Sequence, residues 1–132
     1  SPHYRGSSCN FWAAYDKNYD MVGATIHMLS KGLDSGDMLF HALPDFENDP
    51  FDLGMRAVKS AHKGLVDNLK TGSLSSYNRV KQDKSKELRY TKNIEFDDDV
   101  ASDYLNNLPT EDEIRNSIQN RNVEKFLNPF VY

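Results

Sequence analysis

The residues of this chain best suited to chemistry lie in the run Gly23 to Asp37, GATIHMLSKGLDSGD, where a β-branched stretch delivers Asp34 into a loop with Gly32 before it and Gly36 after it. A carboxylate in such a loop has two uses. It can close an Asx-turn by accepting the backbone N–H two residues on. Alternatively, partly withdrawn from water, it can take a proton from a reacting amine. Spacing alone leaves both open. Other reactive side chains are isolated. Cys9, the single cysteine, has no CxxC partner and reads as a small buried residue. His3, His41 and His62 show no metal-ligand spacing and read as structural or surface residues. Asp97-Asp98-Asp99 suits the positive end of a helix better than a calcium loop. No metal is expected.

The elements that must position Asp34 follow from the pattern around it. Strands are expected over about 22–29 and 37–43, with Ala24, Ile26 and Met28 on one face and Thr25, His27 and Leu29 on the other. Pro44 stops the second strand. A helix is expected from Ser7 or Ser8, as N-cap, to about Asn18, with Phe11, Trp12, Ala14 and Tyr15 as its apolar stripe. The clearest helix starts at an Asp49 cap with Pro50 in the first helical position and ends at Gly72. Its stripe is expected to be Phe51, Met55, Val58, Ala61, His62, Leu65, Val66 and Leu69. From Gly72 to Lys92 the chain turns polar and reads as an extended surface crossing. Short helices are then expected over about 97–106 and from Thr110, where Thr110 and Glu113 form a capping box. The last residues, Phe126 to Tyr132, are apolar enough to dock on the rest.

With 132 residues, 38% of them hydrophobic, the chain suits one domain. Its 16 Lys and Arg against 20 Asp and Glu leave a net charge of −4, so there is no general basic field to attract nucleic acid or an anionic membrane. No apolar run approaches the roughly 18 residues that span a bilayer, and no signal-peptide pattern opens the chain, so the cytoplasm is the expected compartment. The opening Ser1-Pro2-His3-Tyr4-Arg5-Gly6 reads like the middle of a loop, as in a fragment or a processed product.

Several segments together carry a family likeness. Ser1-Pro2-His3-Tyr4-Arg5-Gly6-Ser7-Ser8, Asn10-Phe11-Trp12, Gly23-Ala24-Thr25-Ile26-His27 and Gly32-Leu33-Asp34-Ser35-Gly36-Asp37 stand in an order and spacing that resembles the folate-dependent formyltransferases. That family includes methionyl-tRNA, glycinamide ribonucleotide and sugar N-formyltransferases. The resemblance covers about residues 1–72. It implies an α/β fold, the C-terminal part of a Rossmann-like catalytic domain, with residues 73–132 a polar crossing and helical extension packed on the same domain. It also implies transfer of a formyl group from 10-formyltetrahydrofolate to an amine. The family's catalytic set is an Asn, a His two residues later and an Asp. Asp34 matches the Asp. The Asn-x-His pair would precede Ser1, so the chain is expected to lack the first half of the domain and, alone, to have little activity.

The same resemblance places Ser30, Lys31, Gly32 and Leu33 beside the pterin of the folate. It places Tyr4, Arg5 and Gly6 on the acceptor side, with Arg5 either paired to an acceptor phosphate or solvated. His27 either supports Asp34 from the adjacent strand or is a satisfied structural histidine. Asn10-Phe11-Trp12 favours an amino-sugar nucleotide as acceptor. Residues 73–132 show no succession of short strands that would make a tRNA-binding barrel, which makes tRNA the lesser alternative. A structural or binding module without catalysis, self-associating through an exposed sheet edge, is the other.

Overall fold

The computed structural model describes every residue except Leu33. In chain order its strands are β1 (Tyr4–Gly6), β2 (Ala24–His27), β3 (Met38–Leu43), β4 (Arg89–Thr91) and β5 (Phe130–Val131). Its helices are α1 (Cys9–Tyr15), α2 (Pro50–Thr71), α3 (Asp98–Asn106) and α4 (Glu111–Gln119). The class is mixed α/β, with one sheet of two strands and one of three.

Helix α2 forms where its caps require it. The Asp49 carboxylate accepts the N–H groups of Phe51 (2.8 Å) and Asp52 (3.2 Å), Pro50 opens the first turn, and Gly72 at φ 72° ends it. The face it buries is not the expected one. Leu53, Ala57, Ser60, Ala61, Gly64 and Asn68 are buried, whereas Phe51, Met55, Val58, His62, Val66 and Leu69 are exposed. Distance explains the reversal. A Cβ on Gly64 would stand 3.1 Å from Phe40 and 3.2 Å from Phe130, so the helix approaches β3 through its small residues. Ser60 Oγ completes the contact by donating to the Leu43 carbonyl at 3.0 Å.

Strand β3, buried along its whole length, pairs antiparallel with β2 and parallel with β5. Thr25 faces His41 and Ile26 faces Phe40, but His27 faces Met38, so Leu39 is an extra residue on β3. That bulge lets the consecutive Leu39 and Phe40 join one cluster with Ala42 and Ala61, which Ala24, Ile26, Met28 and Phe130 flank. Ala24, Ile26 and Met28, expected to share a face, all pack on this cluster. Leu29 lies beyond the strand and is 97% exposed.

Helix α1 is shorter than expected. Ser8 adopts a left-handed backbone at φ 56° and makes no side-chain cap, so Cys9 is the first helical residue. The helix ends in a Schellman motif, with Lys17 N–H on Ala14 O and Asn18 N–H on Ala13 O. Trp12, Ala13 and Ala14 pack with Tyr4, Leu53, Ala57, Tyr104 and Ile114 in a second core. Helices α3 and α4 start as read, at an Asp97 cap and at the Thr110–Glu113 capping box.

The polar crossing does more than cross. Within it β4 pairs parallel with β1, Tyr4 opposite Arg89, and Val80 forms a bridge with Met38. The chain's last residues dock as β5, with Leu127 accepting from His41 N–H and Tyr132 N–H donating to Leu43. The imidazole of His41 is used at both nitrogens. Leu127 N–H donates to Nδ1 at 2.7 Å, so the proton sits on Nε2, which donates to the Ser1 carbonyl at 2.6 Å. Burial lowers the pKa of His41, and burial followed by surrounding positive charge lowers that of His3 to about 4.

Both imidazoles stay neutral in the folded protein at a pH where the unfolded chain, with its ordinary value of 6.5, takes up protons. The stability this provides is complete above pH 6.5 and is lost as the pH falls towards 4. Urea denaturation across that window should show a falling midpoint, and the His3→Gln/His41→Gln double variant should show a flatter dependence. An equally steep dependence in the variant would assign the loss to other groups.

Candidate functional site

The site is built on the connection between β2 and β3. Met28 N–H donates to Asp37 O at 2.8 Å and closes the base of the loop. Inside it, Ser30 Oγ donates to the Gly32 carbonyl at 3.0 Å and lies 2.8 Å from Ser35 Oγ. Gly36 is required by contact, since a Cβ there would fall 1.6 Å from the Met28 carbonyl oxygen. Asp34 is half-buried in the left-handed region at φ 50°, a conformation aspartate tolerates better than most residues.

The loop holds Asp34 by its backbone. Gln82 Nε2 donates to the Asp34 carbonyl at 2.8 Å and to the Gly36 carbonyl at 2.9 Å. Among the described residues the Asp34 carboxylate makes no hydrogen bond, so it does not accept the Gly36 N–H as an Asx-turn would. The acid is positioned without being consumed. Sequence reasoning missed Gln82, which stands in a Ser- and Lys-rich stretch without periodicity. The one apolar residue nearby, Val80, is what anchors that stretch to Met38.

His27 ends β2 beside this loop. Its Nδ1 donates to the Met28 carbonyl at 2.9 Å, which leaves Nε2 as an acceptor, and the ring abuts Gly36, 3.2 Å from where a Cβ would stand. It braces the loop from the strand side. Ser30, Lys31 and Gly32 form the exposed tip. Leu33 lies outside the described residues.

The three residues on β1 are differently engaged. Tyr4 is buried, its hydroxyl donating to Asp16 at 3.1 Å and accepting from Asn18 at 2.7 Å, and burial raises its pKa. Gly6, at φ 90°, lets β4 approach, since a Cβ would meet the Thr91 carbonyl oxygen at 2.0 Å. Arg5 pairs with Glu87 at 3.1 Å, keeps only 13% of its side-chain surface exposed, and has a buried Nε without a partner. Burial pushes the Cys9 thiol up, the Asp34 charge adds to that, and Arg5 opposes it. The thiol donates to the Gly6 carbonyl at 3.4 Å and is no nucleophile. Asn10 accepts the Gly23 N–H at 3.1 Å and ties α1 to the start of β2.

Among the described residues no group of three or more His, Cys, Asp or Glu side chains is arranged to hold a metal ion. No family model matches the chain, and no curated protein or solved structure does so either.

If the Gln82 amide holds the loop, Gln82→Ala should increase hydrogen exchange at the Met28 amide by about fivefold or more, since each of its two hydrogen bonds is worth about 1 kcal/mol. Exchange in the middle of α2 should not change. Unaltered exchange at Met28 would show that the serines alone fix the loop.

Proposed function

We propose that this chain carries the proton-accepting part of a formyl-transfer site, in which an amine takes the formyl group of 10-formyltetrahydrofolate. What supports the reading above all is Asp34, a half-buried carboxylate held through its backbone by Gln82 and making no hydrogen bond of its own among the described residues. The resemblance of the surrounding segments to the folate-dependent formyltransferases supplies the substrates. In the same reading the α/β fold is part of a Rossmann-like domain. Its two parallel strand pairs, joined by long crossings that contain helices, suit that architecture.

The chemistry assigns each group a task. The acceptor nitrogen attacks the formyl carbon and forms the new C–N bond, while the carbonyl π electrons move to oxygen. Asp34 takes the proton that the nitrogen sheds. Collapse of the tetrahedral intermediate re-forms the C=O and breaks the bond to N10 of the folate, which takes up the proton held by Asp34 as it leaves. His27 keeps the loop in place through Gly36. Backbone groups of Ser30, Lys31 and Gly32 face the pterin, and Arg5, already tied to Glu87, completes the acceptor side. The oxyanion also needs donors. The family's Asn-x-His pair does not occur among the 132 residues, so these donors come from outside them.

An amino-sugar nucleotide is the proposed acceptor, on the strength of Asn10-Phe11-Trp12 and a net charge of −4 that disfavours tRNA. No described helix is long and apolar enough to cross a membrane, and a cytoplasmic enzyme fits this chemistry.

The test is tetrahydrofolate release by the gene product that contains this chain, given 10-formyltetrahydrofolate and a panel of amino-sugar nucleotides, with glycinamide ribonucleotide alongside. Asp34→Asn should lower the rate by roughly a hundredfold or more with an unchanged circular dichroism spectrum, as removal of a general base does. Turnover that is indifferent to the substitution, or absent with every amine, overturns the proposal.

A further inference from the structure

Beside the Asp34 loop lies a cleft of about 370 Å³, within the range of small-molecule sites. Its rim carries Lys81, Lys86 and Lys125, and its back wall is Pro2, His41 and Phe126. None of the three lysines belongs to an ion pair among the described residues, although five pairs form elsewhere. The lining has one acid, Asp83, against three lysines. The Asp83 carboxylate accepts the Ser85 N–H at 2.9 Å and the Ser85 hydroxyl at 2.7 Å. Positive charge is thus gathered at one cleft in a chain whose net charge is −4.

We infer that this cleft binds the oxyanions of a phosphate- or carboxylate-bearing ligand through Lys81, Lys86 and Lys125. A wall of low polarity behind a rim of one sign concentrates the field in the cleft. His41 does not compete, because both its nitrogens are bonded to the backbone. The field is felt nearby, where Lys86 and Lys125 both add to the burial that lowers the pKa of His3. Lysine suits the task, since a point charge on a flexible stem can follow an oxyanion without a fixed bidentate geometry.

The cleft is coupled to the loop by covalent neighbours. Gln82, the clamp on Asp34, lies between Lys81 and Asp83 of the lining, and its Oε1 is buried without a partner. Val80 pairs with Met38, and both residues line the cleft. An anion held by the lysines therefore anchors a ligand whose reactive end reaches Asp34. On the formyl-transfer reading, which this last step rests on, the anion is either the diphosphate of the acceptor or the glutamyl carboxylates of the folate.

Calorimetry separates these sources with two probes, inorganic pyrophosphate and a γ-linked triglutamate, titrated at low salt. At least one should bind, and Lys86→Gln/Lys125→Gln should weaken the tighter one by about tenfold or more, the loss expected for charge-assisted contacts. Binding should also fade at high ionic strength. Lys70→Gln, at the end of α2 and away from the cleft, should leave it unchanged. The tighter probe identifies the source. Binding that the double variant retains, or no binding by either probe, overturns the site. Anion binding without formyl transfer would retain the site and remove the proposed reaction.

Discussion

The three-stranded sheet and the helix packed on it lean on β3. Its six residues are all buried, and it meets β2 on one edge, β5 on the other and α2 across its face. The closeness of that last contact is set by Gly64, whose missing side chain leaves room for Phe40 and Phe130. Filling that space with a larger residue would force the helix outward, a rearrangement that costs on the order of 1–3 kcal/mol in a packed core. Because β5 and α2 both close on the same strand, the chain's end and its longest helix are stabilised together.

The Asp34 loop inherits its geometry from this strand. Its far end is continuous with β3, its near end is held by the Met28–Asp37 bond, and Val80 on Met38 brings Gln82 within reach of its carbonyls. The residues that hold the loop are thus remote in sequence from the residue it presents. A local turn would have used the Asp34 carboxylate as its own fastener. Here serine hydroxyls and a distant amide do that work, and among the described residues the carboxylate makes no hydrogen bond.

Elements with local signals were legible in the sequence. The Asp49-Pro50 start and Gly72 stop of α2, the Thr110–Glu113 box, and the alternation that puts Ala24, Ile26 and Met28 on one face all depend on neighbours along the chain. The buried face of α2 was not legible in this way, because hydrophobicity pointed to Phe51, Met55 and Val58 while the sheet required small residues. Strands β1, β4 and β5 escaped for a different reason. Two or three residues carry no periodicity, and their pairing partners are distant: Tyr4 meets Arg89 and Ala42 meets Phe130. At the site, Asp34 was visible from its flanking glycines. Its clamp was not, since nothing local marks Gln82 as different from the polar residues around it.

The division of charge follows from the same economy of contacts. Arg5, Arg56, Arg89 and Arg115 are spent on Glu87, Glu47, Asp16 and Glu111, and Lys63 is spent on Asp67. Several of these pairs join elements, Arg5 and Arg89 tying the β1–β4 region to its surroundings. Arg89 also stacks its guanidinium 4.2 Å over the Trp12 ring, a contact a lysine would make less well. The planar cations therefore serve the architecture, where fixed geometry is useful. The flexible ones at Lys81, Lys86 and Lys125 are left facing a cleft. Among the described residues these three lysines belong to no ion pair, so the binding free energy of a ligand anion is not spent on breaking one.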